Sequence, residues 1–280
     1  MKSFITFIIS ILILLFSFQT KIHAVDTKVF RVSDGKTIRY ERMIDDLQKV
    51  NIVFVGETHD RESHHRLQLG IIKELNTRKH IAVGFEMFTY ESQNDLDRWI
   101  NGELSSEEFI KIYYRNWNFP WPLYKDIFEH VREKKISSIA LNIPPEISRK
   151  VANSGFASLT KKELEKLPPE VGCAIDEKYM RFIRRVYAMH GHSGKQFLYF
   201  CEAQLLWDQV MAQNLLEFLK KNPSKTIIAL TGNGHAWKRG IPEKVRTLSE
   251  KTSYRVILPE IPGYIDPKSI TIDDTDYILL

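Results

Sequence analysis

Apolar residues in this chain fall into short β-branched runs, separated by stretches where they recur every three or four positions. Ile52-Val53-Phe54-Val55 is one such run and Ile81-Ala82-Val83-Gly84-Phe85 a second; between them Leu67, Ile71, Ile72 and Leu75 keep helical spacing. Further strand-like runs are Ile136 to Leu141, Thr226 to Leu230 and Tyr254 to Leu258. Helix signals stand between them. Ser105 with Glu108 makes a capping box. Pro122 sits where a helix starts, with Leu123, Ile127, Phe128 and Val131 as its apolar face. Pro145 to Asn153 reads as a helix stopped by Gly155, and Ile241 to Leu248 as another. Strands alternating with helices predict an α/β fold: a mostly parallel sheet with helices on both faces.

Two stretches depart from this rhythm. Residues 25–50 predict an irregular lead-in with a short helix near Tyr40 to Gln48. Ser158 to Asn222 reads as helices only: one opened by Thr160 with Glu163, one over Asp176 to Met189, and the longest over Gln196 to Lys221. This predicts a helical insertion, about 156–222, within one domain spanning 25–280. No internal repeat or low-complexity tract stands out.

The N-terminus differs in kind. Lys2 precedes an almost unbroken apolar run from Phe4 to Phe18, closed by Lys21 and His23, with the small residue Ala24 before Val25. A basic start, a short apolar run and a small residue predict a secretory signal peptide over 1–24. The run is short against the roughly 20 apolar residues of a membrane span, which favours cleavage over an anchor. The expected location is the periplasm or cell envelope.

Composition adds limits. With 43% hydrophobic and 27% charged residues, the 280-residue chain has enough apolar material for a real core. Its 40 Lys and Arg against 35 Asp and Glu give +5. Without Lys2 and Lys21 the balance is 38 against 35, or +3, too weak to argue for a nucleic-acid partner. The two cysteines, Cys173 and Cys201, are either a pair or two separate thiols, and do not make a metal motif.

Ligands of open α/β sheets bind beyond the carboxyl ends of the strands. Gly56-Glu57-Thr58-His59-Asp60 follow the first strand, Glu86 the second, Asn142 the third and Gly232-Asn233-Gly234-His235 the fourth. Each residue has an ordinary role open to it: Thr58 or Asp60 as a helix cap, Asn142 as a turn former, His64 and His65 as solvated helix residues. Together, Glu57, His59, Glu86 and His235 predict a functional rim around one cavity, either a divalent-metal site or an acid–base site, with Asn142 and Asp208 behind them.

The segment Asp176 to His190 offers a second candidate. Tyr179, Phe182, Ile183, Val186, Tyr187 and His190 recur at helical spacing, with Lys178, Arg181, Arg184 and Arg185 beside them and His192 just after. One reading is a core-facing helix with a solvated basic side. The other is a face that meets a flat apolar ligand, with bases for its carboxylates.

Five segments, in order along the chain, resemble the ChaN-like haem-binding lipoproteins: Val55 to Asp60, Gly84 to Phe88, Ala140 to Pro144, Glu202 to Asp208, and Gly232 to His235. The likeness covers about Asn51 to Arg239. It implies a role in iron uptake and haem bound at a homodimer interface, through a tyrosine ligand, with propionates held by histidine and lysine. On this chain the expected ligand is Tyr179 or Tyr187, with Tyr179 favoured because it is nearer the helix start and expected to be less sealed in the core. Lys178, His190 and His192 are the expected propionate partners. The resemblance also implies an envelope iron-transport partner. The family's lipidation cysteine has no counterpart near the predicted cleavage point. More distantly, the rim motifs are similar to those of erythromycin esterases and TIKI-type metalloproteases, which implies the alternative of a metal-dependent or His/Glu-based hydrolase.

Overall fold

The computed structural model describes residues 27–168, 171–172, 175–186 and 194–280. The expected signal peptide, Cys173, Tyr187, His190 and His192 lie outside the described residues. The elements run in the order β1 (Val29–Arg31), β2 (Lys36–Ile38), α1 (Tyr40–Leu47), β3 (Ile52–Glu57), α2 (Glu62–Asn76), β4 (Ile81–Thr89), α3 (Gln93–Asn101), α4 (Ser106–Asn116), α5 (Trp121–Glu133) and β5 (Ser137–Asn142). They continue with α6 (Pro145–Ser154), α7 (Lys161–Leu164), α8 (Glu177–Val186), α9 (Gly194–Lys221), β6 (Thr226–Gly232), α10 (Asn233–Ala236), α11 (Ile241–Leu248), β7 (Tyr254–Pro259) and β8 (Tyr277–Leu279).

The strands make one eight-stranded sheet in the order β2-β1-β8-β7-β3-β6-β4-β5. From β8 to β5 every neighbouring pair is parallel, while β1 and β2 add an antiparallel edge. The five longer strands stand where their apolar runs predict them. The lead-in is not irregular: β1 and β2 flank its turn, and β8 returns from the C-terminus to pair with β1. Three-residue strands are too short to show a period of two, so the pattern of the sequence cannot reveal them.

Alternation along the central strands puts helices on both faces. Val53 and Val55 of β3, with Ile228 and Leu230 of β6, join a core shared with α1 to α5. Ile52 and Phe54, with Ile227 and Ala229, join the opposite core, shared with α8, α9 and α11. The long α9 serves two packings. Met211, Ala212 and Leu215 cover the sheet, while Ala203, Leu206 and Val210 pack with Ile147 and Val151 of α6. The capping boxes at Ser105–Glu108 and Thr160–Glu163 are both formed. At the β5 edge, Gln93 stands in for a missing strand: its amide donates to Ser138 O and accepts from Ala140 N, both at 2.8 Å. Among the described residues no helix is long and apolar enough to cross a membrane.

Candidate functional site

The chain leaves β3, builds α2, enters β4 two places away in the sheet, and only later inserts β6 between them. The carboxyl ends of three adjacent strands, β3, β6 and β4, therefore meet at one rim, where open sheets place their ligands. Glu57 ends β3, Gly232 ends β6 and Glu86 lies in the last half of β4. Close approach is built in at two glycines. A Cβ on Gly56 would lie 2.5 Å from Asn233 Oδ1, and one on Gly232 would lie 2.9 Å from His59 Cε1.

Glu57 is buried and heavily engaged. Its Oε1 accepts from the Tyr124 hydroxyl at 2.5 Å and pairs with His59 Nδ1 at 2.7 Å. Its Oε2 lies 3.4 Å from His65 Nε2. Burial raises the pKa of the Glu57 carboxyl, but the hydrogen bonds from His59 and His65 outweigh it and hold the group far below its ordinary value. The pKa of His59 moves the other way: burial lowers it, while the hydrogen bond to Glu57 and the charges of Glu86 and Glu57 raise it above 6.5. The His59 ring packs against both Trp117 and Phe119, with centroids 4.9 and 5.0 Å away.

A second couple faces the first. His235 Nδ1 bonds Asp208 Oδ1 at 2.7 Å, and its Nε2 lies 3.8 Å from Glu86 Oε1. The other Glu86 oxygen accepts from Gly232 N at 2.6 Å. Burial pulls the pKa of His235 down, but the charges of Glu86 and Asp208 and the Asp208 hydrogen bond lift it from 6.5 to about 9. At neutral pH this buried imidazole is therefore a cation and a donor. Asn142 braces the rim by donating from Nδ2 to Glu86 O at 2.9 Å.

Glu57, His59, Glu86 and His235 thus line one cavity of about 700 Å³, with Asn142 also in its wall and Asp208 behind His235. The expected divalent-metal arrangement is not seen. Among the described residues no group of three or more His, Cys, Asp or Glu is placed to hold a metal ion. The physical reason is that the carboxylates are engaged: Glu57 Oε1 holds Tyr124 and His59, Glu86 Oε2 holds Gly232 N, and Asp208 holds His235 and Tyr179, so the side chains form two His–carboxylate couples. The arrangement suits proton transfer: a histidine held by an anion on one side, a buried imidazolium on the other.

Several expectations need correction. His64 and His65 are buried, not solvated. His64 Nδ1 accepts from Thr58 N at 2.9 Å, and burial with the neighbouring His65 pulls its pKa down to about 4, which keeps it neutral for that role. Tyr179, expected to be less sealed in the core, is only 4% exposed, and its hydroxyl donates to Asp208 Oδ2 at 2.8 Å. Lys178 is exposed on the same helix. Cys201 is buried, which pushes its thiol up to about 11. The pattern of the sequence missed Tyr124 and the cavity aromatics. The dense run Trp117-Asn118-Phe119-Pro120-Trp121, between two helices, was the signal that pointed to part of them.

Comparison with known proteins gives this geometry a context. No curated protein sequence matches the chain. A solved structure described as cofacial heme binding to ChaN of Campylobacter jejuni is similar with a TM-score of 0.72 and 21% identity, covering 92% of this chain and 97% of that one. The erythromycin esterase EreC, in an open conformation, is similar with a TM-score of 0.50 and 14% identity over 91% of this chain and 82% of that one. The type III effector HopBA1 is similar with a TM-score of 0.53 and 11% identity over 84% and 89%. At these identities the likenesses show the fold. The profile of the family described as "Haem-binding uptake, Tiki superfamily, ChaN" matches residues 43–245, well over half of the chain. The strand ends that build the rim lie inside that match, and the chain belongs to this haem-binding uptake family.

Proposed function

We propose that this protein is an exported haem-binding protein that serves iron acquisition, holding haem as a homodimer and passing it to an envelope transport partner. The family match over residues 43–245 carries the reading. The exposed side of α8 fits a ligand with two carboxylates: Lys178, Arg181 and Arg184 lie along it, and all three are exposed. A phenolate oxygen suits ferric haem iron. Tyr179 is poorly placed to supply one, because its hydroxyl is buried on Asp208. The proposed ligand is therefore Tyr187, with Lys178, His190 and His192 for the propionates.

Haemin titration followed by visible absorption tests this, with the oligomeric state read from the same samples. Wild type and Tyr179→Phe are expected to give the same phenolate-type spectrum, and Tyr187→Phe to lose it. An unchanged Tyr187→Phe spectrum would show that the ligand lies elsewhere. Mass spectrometry of the mature protein is expected to find a start at or near Val25.

A second reading is favoured by one observation, the two His–carboxylate couples on a single cavity. On this reading the rim hydrolyses an ester or amide. Water attacks the carbonyl carbon and gives its proton to His59 Nε2, while the His235 imidazolium donates to the developing oxyanion. Collapse then breaks the bond to the leaving group, which takes the proton from His59. With its pKa above 6.5, His59 gains base form as the pH rises beyond that value, so turnover is expected to climb with pH until His235 loses its proton near 9. Glu57→Gln and His235→Ala are each expected to abolish such turnover. Activity that survives both variants, or that is absent from the wild type across an ester panel, rejects this reading.

A further inference from the structure

The rim cavity has more built into it than proton transfer requires. Trp117, Phe119, Trp207, Tyr264 and Ile261 wall it, a surface suited to a flat ring. At its polar end stand the Glu86 carboxylate and Gln204. Gln204 is 4% exposed, lines the cavity, and its buried Oε1 has no hydrogen-bond partner among the described residues. A buried acceptor left unpaired is destabilising, and a bound group donating an N–H or O–H relieves it.

The cavity also has a cationic side. Arg185 lines it and also lines an adjoining pocket of about 300 Å³ shared with Lys178, Arg181 and Arg239. In that second pocket Asp274 is the acid among the lining residues. The Arg185 guanidinium is held in place from two sides: Nη1 bonds Asp274 Oδ1 at 3.1 Å, and the group lies 4.9 Å from the Trp237 ring centroid. It still has donors to offer, since a guanidinium carries five. Glu57 and Glu86 are matched in the cavity by the His59 and His235 rings, which leaves Gln204 Oε1 as an open acceptor and Arg185 as the group that attracts an anion.

We propose that the rim cavity binds an aromatic carboxylic acid that carries a hydroxyl or amino group on its ring, as a site separate from haem. The ring lies among the aromatic walls, the carboxylate pairs with Arg185, and the ring's donor bonds Gln204 Oε1. The inference names a ligand class for the cavity on which the hydrolytic reading rests, but it is tested by binding alone. Its failure is thus read apart from the failure of turnover or of haem binding.

The probe is 6-hydroxy-2-naphthoate, compared with 2-naphthoate, which lacks the donor, and 2-naphthol, which lacks the carboxylate. Calorimetry of the haem-free full chain is expected to show one site per chain, with each truncated probe bound about tenfold more weakly, as one hydrogen bond or ion pair of about 1.4 kcal/mol implies. Arg185→Gln is expected to erase the preference over 2-naphthol, with Arg185→Lys restoring part of it. Gln204→Leu is expected to erase the preference over 2-naphthoate. Thermal midpoints of the variants check that they fold. Equal affinity for all three probes, no binding at millimolar concentration, or preferences that survive in folded Arg185→Gln and Gln204→Leu overturn the proposal.

Discussion

Replacing Asp208 by Asn removes one of the two charges that hold His235 protonated, while leaving an amide oxygen to accept from Nδ1. A group whose pKa rises on folding stabilises the fold fully below its unfolded value, and loses that contribution as the pH climbs through its folded value. For His235 that window runs from 6.5 to about 9. At about 1.4 kcal/mol per pH unit, its full width is worth about 3 kcal/mol. In Asp208→Asn, burial still disfavours the imidazolium and only Glu86 opposes it. The pKa of His235 is expected to fall by at least about one unit, which narrows the window and removes about 1–2 kcal/mol of the pH-dependent stability. NMR titration of the histidine ring resonances, with His235→Gln for assignment, reads the pKa. Urea unfolding at pH 6 and pH 9.5 reads the stability. The variant is expected to be clearly less stable than the wild type at pH 6, with the gap shrinking at pH 9.5. A wild-type His235 that titrates near 6.5, or a pKa unmoved in the variant, would refute the reasoning.

Three further outcomes follow from the same geometry. Gly232→Ala would set a Cβ 2.9 and 3.0 Å from His59 ring atoms. It is expected to cost about 1–3 kcal/mol by urea unfolding, and to let the His59 pKa fall back toward 6.5 as the ring leaves Glu57. Tyr124→Phe keeps the ring but takes a donor from buried Glu57; a loss of about 1–3 kcal/mol is expected by thermal unfolding, and an unchanged midpoint would show that water replaces the hydroxyl. Gln93→Ala bares the β5 edge at Ser138 and Ala140; concentration-dependent self-association is expected in size-exclusion chromatography, as unprotected edge strands invite pairing.

The central strands were legible because each is a continuous apolar run buried on both faces, as in Ile52–Glu57 and Thr226–Gly232. Helix starts were legible where a local rule governs them, as at Ser105 and Thr160. With the strands in hand, the topological rule for open sheets was enough to gather Glu57, Glu86 and His235 at one rim. Pairing partners are a different kind of information. That β6 enters between β3 and β4, that Glu57 meets Tyr124, 67 residues away in the chain, and that Asp208 is shared by His235 and Tyr179 are contacts with no local signature. The choice between a metal site and two His–carboxylate couples depends on where donor atoms point, to within about an ångström, and only the folded packing decides that. The same holds for Tyr179: its helical spacing marks a face, but the sequence cannot say whether its own side chain meets a ligand or, as here, the core.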